Sequence, residues 1–215
     1  MRAKFSLLGL IKFGQKAHVQ DLLDNGTIYM NHVSQFAKTE DGGLRGDGHE
    51  ALISVEDIID IDISIDGLVV AKADSGKINI HSNFPIGNIY SMYYLPYMDD
   101  LSEIKIDIKC KDFGDSCLIV FDVIEFVKRI KKAASKLGER ILLSPIEYQS
   151  ISTYKGKWSL FKKPDSFSYQ NEFRFLIKQG KFVGPIVLSI GPIHDIATML
   201  SSENIETLKL EKIKK

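Results

Sequence analysis

Ser168-Tyr169-Gln170-Asn171-Glu172-Phe173-Arg174-Phe175-Leu176-Ile177-Lys178 is the stretch on which the reading of this chain turns. From Gln170 to Lys178 it reads as a β-strand. Side chains on a strand alternate between its faces, so Gln170, Glu172 and Arg174 share one side while Phe173, Phe175 and Ile177 share the other. The aromatic side can pack. The other side sets an amide, a carboxylate and a guanidinium in a row. This Gln-x-Glu arrangement suits a carboxylate that must meet a developing positive charge, and equally a half-buried strand whose polar side faces water.

Around that stretch the composition is ordinary for one folded domain spanning residues 1–215, long enough to bury a substantial core. Lys plus Arg balance Asp plus Glu at 28 each, which removes any global pull towards a polyanion. The balance is uneven along the chain. Glu40 to Asp74 holds ten acidic residues against Arg45 and Lys72, and Lys128 to Lys163 holds ten basic residues against Glu139 and Glu147. The basic segment is a candidate landing surface for a nucleic-acid or protein target, through Lys128, Lys131, Lys132, Lys155 and Lys157.

Cys110 and Cys117 are too few for a disulfide framework and lack zinc-site spacing, so a reduced, cytoplasmic setting is expected. The apolar run Phe5–Ile11 is too short for a signal or a membrane span. Asp47, His49 and Glu50 sit together in a Gly-rich loop, where solvated side chains are more usual than a metal site, and no metal is assigned.

In chain order, Phe5–Phe13 reads as a strand, Gln15–Asp24 as a helix stopped by Asn25-Gly26, Thr27–Asn31 as a strand and Val33–Thr39 as one or two helical turns. Glu40–Glu50 is a Gly-rich loop. Ala51–Val55, Ile58–Ile65, Leu68–Ala73 and Lys77–His81 read as separate short strands with turns at Asp66-Gly67 and Ser75-Gly76. The tyrosine-rich Ile89–Tyr97 and Leu118–Phe121 are further strands. Asp122 caps a helix over Val123–Leu137, whose apolar stripe is Val123, Phe126, Val127, Ile130 and Ala134, and Gly138 ends it. Strands at Arg140–Leu143 and Glu147–Thr153 precede a basic, aromatic loop over Tyr154–Phe167. Pro185–Ile190 reads as a strand, His194–Leu200 as a brief helix and Thr207–Ile213 as a closing strand. The expected class is α+β, two packed and mostly antiparallel sheets with a few flanking helices.

Lys12-Phe13-Gly14 closing the first strand, Asn25-Gly26 after the helix, Thr27-Ile28-Tyr29-Met30-Asn31 and the late Tyr169-Gln170-Asn171-Glu172-Phe173-Arg174 together resemble an uncharacterised bacterial and phage family. That layout is similar to the ADP-ribosyltransferase superfamily, including DarT-like toxins, in which an early strand supplies Arg or His, a middle strand Ser or Tyr, and a late strand the catalytic Glu. The resemblance implies an ADP-ribosyltransferase-like fold, NAD as substrate, and a toxin or phage-defence role with an antitoxin or other partner protein. It further implies Glu172 as the catalytic carboxylate, Gln170 orienting the acceptor, Lys12 or Arg45 holding phosphate or ribose, and Tyr29 stacking on nicotinamide. The chain departs from the pattern by carrying Lys12 where the superfamily uses Arg or His, and by lacking a Ser-Thr-Ser triplet. From the residues themselves, Tyr29 also reads as a core side chain and Arg45 as a loop brace to Asp47 or Glu50. The other function class kept open is a non-catalytic phage or host protein that sequesters a nucleotide signal or blocks a partner.

Overall fold

The computed structural model describes residues 7–36, 48–50, 52–82, 87–178 and 184–210. Its opening unit is β1 (Leu7–Gly14), α1 (Lys16–Asn25) and β2 (Thr27–His32). Asn25-Gly26 ends the helix because Gly26 takes φ 64° and returns its N–H to the Leu22 carbonyl. No side chain fits there: a Cβ on Gly26 would stand 2.0 Å from the Gly191 carbonyl oxygen. One helical turn, α2 (Val33–Phe36), follows, and the rest of the expected Val33–Thr39 segment lies outside the described residues.

The remaining elements are β3 (Leu52–Ile65), β4 (Leu68–His81), β5 (Asn88–Pro96), β6 (Ser116–Val120), α3 (Val123–Lys136), β7 (Ile141–Pro145), β8 (Glu147–Gln149), β9 (Gly156–Lys157), β10 (Lys162–Pro164), β11 (Glu172–Ile177), β12 (Ile186–Ser189) and β13 (Ala197–Ser201). The class is α+β with mostly antiparallel sheets. Instead of two packed sheets, however, one eight-stranded sheet dominates. Its order is β12-β2-β5-β1-β6-β13, with β11 and then β7 branching from β5; β4-β3-β9 and the parallel pair β10-β8 are separate.

The branching places the site. One edge of β5 pairs with β11 from Tyr93 to Asn88. The opposite edge is shared: β1 takes Pro96 to Tyr93 and β2 takes Ile89 and Asn88. Between them Tyr90, Ser91 and Met92 have no strand partner on that edge among the described residues, and β1 runs on from Lys12 to Gly14 beside β6 instead. The sheet therefore forks, with α1 linking the two prongs.

The core lies on both faces. On one, α3 lays Val123, Phe126, Ile130 and Ala134 against Leu10, Met30, Met92, Phe173 and Phe175. Each such side chain contributes roughly 1.5–3 kcal/mol by leaving water. Asp122 caps α3 as its sequence position requires, accepting from the Glu125 N–H at 2.9 Å. On the other face, Ile11, Tyr93, Leu95 and Cys117 pack with Cys110 and Ile205, which come from 3₁₀ turns at Ile108–Phe113 and Ser202–Thr207.

Several expected elements differ. Ser75-Gly76 is no turn, because Ile59 and Ile58 pair with it and the four short strands become one long hairpin. Local cues make Ser-Gly a turn, but a partner strand that supplies the ladder overrides them. Likewise His194–Leu200 is not helical: Ala197–Ser201 satisfies its backbone by pairing with β6. Thr207–Ile213 forms no described strand; a 3₁₀ turn ends at Thr207 and residues 211–213 lie outside the described part. The Tyr154–Phe167 loop contains β9, β10 and the start of a 3₁₀ turn over Asp165–Gln170. Among the described residues no helix is long and apolar enough to cross a membrane.

Candidate active site

The decisive stretch departs from a simple strand at its first residues. Gln170 closes the 3₁₀ turn, Asn171 adopts a left-handed conformation (φ 34°, ψ 57°), and β11 begins at Glu172. Asparagine tolerates this backbone better than most residues, so it can reset the chain between turn and strand. Alternation holds from there on. Phe173, Phe175 and Ile177 enter the α3-side core, and Glu172 and Arg174 point the other way.

That polar side does not face water. Glu172 is 4% exposed and Arg174 is fully buried, so the solvated reading is corrected. Buried charges persist only when matched and hydrogen-bonded, and here the matching is detailed. Arg174 Nε donates to Glu172 Oε1 at 2.6 Å. Its Nη1 and Nη2 donate to the two oxygens of Glu50 at 3.0 and 2.8 Å, a bidentate clamp, and Nη1 also reaches the Leu160 carbonyl at 2.6 Å. Lys163 Nζ lies 3.0 Å from Glu172 Oε2 and donates to Gln170 Oε1 at 2.8 Å. Ser91 Oγ donates to Glu172 Oε1, and the Glu172 N–H donates to Tyr148 Oη at 2.8 Å. Two carboxylates thus balance two cations in one buried cluster.

Burial alone would push the Glu172 carboxyl up. The charges of Arg174 and Lys163, with the hydrogen bonds from Arg174 and Ser91, more than reverse this and hold it well below the usual carboxylate range. Glu172 is therefore ionised at neutral pH.

This cluster closes one end of a cavity of about 610 Å³ that occupies the fork of the sheet. Its volume falls within the roughly 300–1,000 Å³ of small-molecule sites. Lys12, Tyr29, Gln170 and Glu172, far apart in the sequence, all line it. Tyr29 is 54% exposed on β2, so its ring is a cavity wall and not core. Lys12 donates to the Ser91 carbonyl at 2.8 Å, satisfying an oxygen that the fork leaves without a strand, and its ammonium lies 4.3 Å from the Tyr90 ring centre. Arg45 and Asp47 lie outside the described residues. The expectation of a solvated Glu50 is corrected by its clamp on Arg174. None of Lys128, Lys131, Lys132, Lys155 and Lys157 lines the cavity. Lys128 pairs with Glu125 and Lys155 with Asp57.

Sequence reasoning missed Ser91 and Lys163 as members of the cluster, and it weighed Glu50 only as a metal ligand or a brace for Arg45. One signal was available for Ser91, a lone small hydroxyl in an otherwise aromatic strand. Nothing local gives Glu50 or Lys163 this part, since for Glu50 it comes from Arg174, 124 positions away, and for Lys163 from the carboxylate of Glu172. Cys110 also lines the cavity, but burial, with Asp107 and Asp112 nearby, pushes its thiol up to about 12, which leaves no thiolate nucleophile at neutral pH. Comparison with protein-family models, with curated proteins and with solved structures finds no match for this chain.

Proposed function

We propose that this chain is an ADP-ribosyltransferase-like enzyme that cleaves NAD and passes ADP-ribose to a nucleic-acid or protein target, acting as a toxin or phage-defence effector. One observation carries the reading: an ionised, oriented carboxylate, Glu172, stands at the wall of a ligand-sized cavity that also presents Lys12 and Tyr29. Breaking the nicotinamide–ribose bond sends its electron pair to the nicotinamide and leaves positive charge on the ribose carbon. A fixed carboxylate lowers the energy of that cation, and a nucleophile on the target then forms the new bond. Ser91 on the middle strand fits the superfamily's hydroxyl position, since its hydrogen bond fixes Glu172 Oε1. Gln170 holds Lys163 through its carbonyl and donates to Tyr169 at 3.3 Å, so its part is to position Lys163 more than to orient an acceptor.

A second reading is the non-catalytic protein that sequesters a nucleotide signal or blocks a partner. It is favoured by the saturation of Glu172, whose charge is already opposed by Arg174 and Lys163. The two separate on whether the purified chain releases nicotinamide from NAD, with and without nucleic-acid and protein targets. Tight NAD binding with no release in any mixture selects the second.

Two further outcomes belong here. If Tyr29 stacks on nicotinamide, Tyr29→Ala raises the Kd or KM for NAD by roughly 2–10-fold, the worth of one aromatic contact at about 0.5–1.5 kcal/mol. Titration calorimetry or initial rates read it, and an unchanged constant removes Tyr29 from the site. If the basic surface receives a polyanionic target, reversing Lys131, Lys132, Lys155 and Lys157 weakens binding and flattens its salt dependence, because fewer counterions are released. Equal binding at low salt would leave these lysines as a solvated face.

A further inference from the structure

Transfer of ADP-ribose sets a proton free. The attacking O–H or N–H of the target bonds to the ribose carbon with its lone pair, the nicotinamide leaves with the old bond pair, and the proton of the attacking group must go to a base. That base has to stand on the wall of the same cavity.

Most titratable groups of the wall are unsuited. Glu172 Oε1 already accepts from Arg174 and Ser91, Oε2 faces Lys163 at 3.0 Å, and the carboxyl is held well below its usual range. An acid that ionises so readily is a poor proton acceptor at neutral pH. Lys12, Lys163 and Arg174 act there as donors, to the Ser91 carbonyl, to Gln170 and to Glu172. Phenols titrate near about pH 10, and burial pushes Tyr90 and Tyr93 higher. Cys110 keeps its proton for the same reason.

The remaining candidates come from α1. That helix buries Val19, Leu22 and Leu23, which turns His18 and Asp21, three positions apart on one helix face, to the cavity wall. His18 is exposed, and among the described residues no hydrogen bond engages its ring. Asp21 is fixed: Asn25 Nδ2 donates to its Oδ1 at 2.7 Å, and the Thr27 hydroxyl bonds to it as well. These bonds hold the Asp21 carboxyl below its ordinary value, and positive charge on His18 acts in the same direction. Asp21 is therefore an ionised neighbour for an imidazolium and itself the weaker base. The other charges on the wall are those of Lys12, Lys163, Glu172 and Arg174; β2, β5 and the turn at Ile108–Phe113 add none among the described residues.

On the NAD-cleaving reading, on which this depends, we propose that His18 is the general base of the transfer step, taking the proton of the attacking group while Asp21 stabilises the imidazolium. An imidazole accepts a proton near neutral pH, and an exposed one hands it on to water.

The test is nicotinamide release by the full chain from saturating NAD, with single-stranded DNA, duplex DNA, total RNA and total cell protein each offered as target, from about pH 5 to about pH 9. The wild-type rate is expected to fall as pH drops through the imidazole range near about 6.5. His18→Gln lowers kcat by about a hundredfold or more, loses that acid limb, and keeps a KM for NAD and a thermal melt close to wild type. Added imidazole restores part of the rate of His18→Ala. Asp21→Asn moves the acid limb to lower pH, because the imidazolium loses its counter-charge. Equal kcat in wild type and His18→Gln, or a loss confined to KM, overturns the proposal and leaves the reading of Glu172 standing. No nicotinamide release by the wild type with any of these targets overturns both.

Discussion

Replacing Glu172 with glutamine is expected to lower nicotinamide release by about a hundredfold or more, the few kcal/mol of one preorganised electrostatic group. Glutamine keeps the shape and can still accept from Ser91, but it has no charge to set against a forming oxocarbenium ion. The buried cluster adds a second effect. With Glu172 neutral, Arg174 and Lys163 share only Glu50, and stability falls by about 3–5 kcal/mol because a buried cation loses its partner. Rates must therefore be compared well below both melting temperatures. Ser91→Ala is the companion variant, since it leaves every charge in place and removes only the hydrogen bond that orients Oε1. A smaller fall in turnover, with a melt close to wild type, is expected from it. Should Glu172→Gln turn over NAD as fast as wild type at a temperature where both are folded, the catalytic assignment fails.

A stability effect as large is expected from Arg174→Met, which keeps most of the side-chain length and removes the guanidinium. Glu50 and Glu172 are then left against Lys163 alone, and the Leu160 carbonyl loses its donor. The loss is about 3–5 kcal/mol, out of the 5–15 kcal/mol typical of a whole domain. For a chain of this size it lowers the melting temperature by roughly 6–20 °C. pH gives the diagnostic sign. In the wild type the folded Glu172 carboxyl titrates below its ordinary value of 4.5, so its stabilisation is complete above that pH and disappears as pH falls through the folded value. Without Arg174, burial is no longer overcome by the same charges and the Glu172 carboxyl titrates upward. The variant should then gain stability relative to wild type between pH 7 and pH 5. Thermal melts at the two pH values measure this. A loss below about 1 kcal/mol with no change in pH slope would mean that the cluster behaves as an exposed ion pair.

The local signals in the chain were sufficient for the elements that rest on local physics. Gly26 must be left-handed and side-chain-free, Asp122 must cap a helix whose stripe is Val123, Phe126 and Ile130, and Phe173 and Phe175 must share a face. Those assignments hold because capping, handedness and alternation act within a few residues. Alternation also singled out Glu172, and the resemblance added Lys12 and Tyr29, which share one cavity.

What lay beyond the sequence depended on partners distant along the chain. Ser75-Gly76 reads as a turn until Ile58 and Ile59 are known to pair with it, and His194–Leu200 reads as a helix until β6 offers it a ladder. The largest reversal is the polar side of β11. Period two says that Glu172 and Arg174 face the same way, but whether that side meets water or a buried cluster depends on Glu50 and Lys163 being carried there from other elements. Hydrogen-bond and charge satisfaction is a three-dimensional property, so only the tertiary structure decided it.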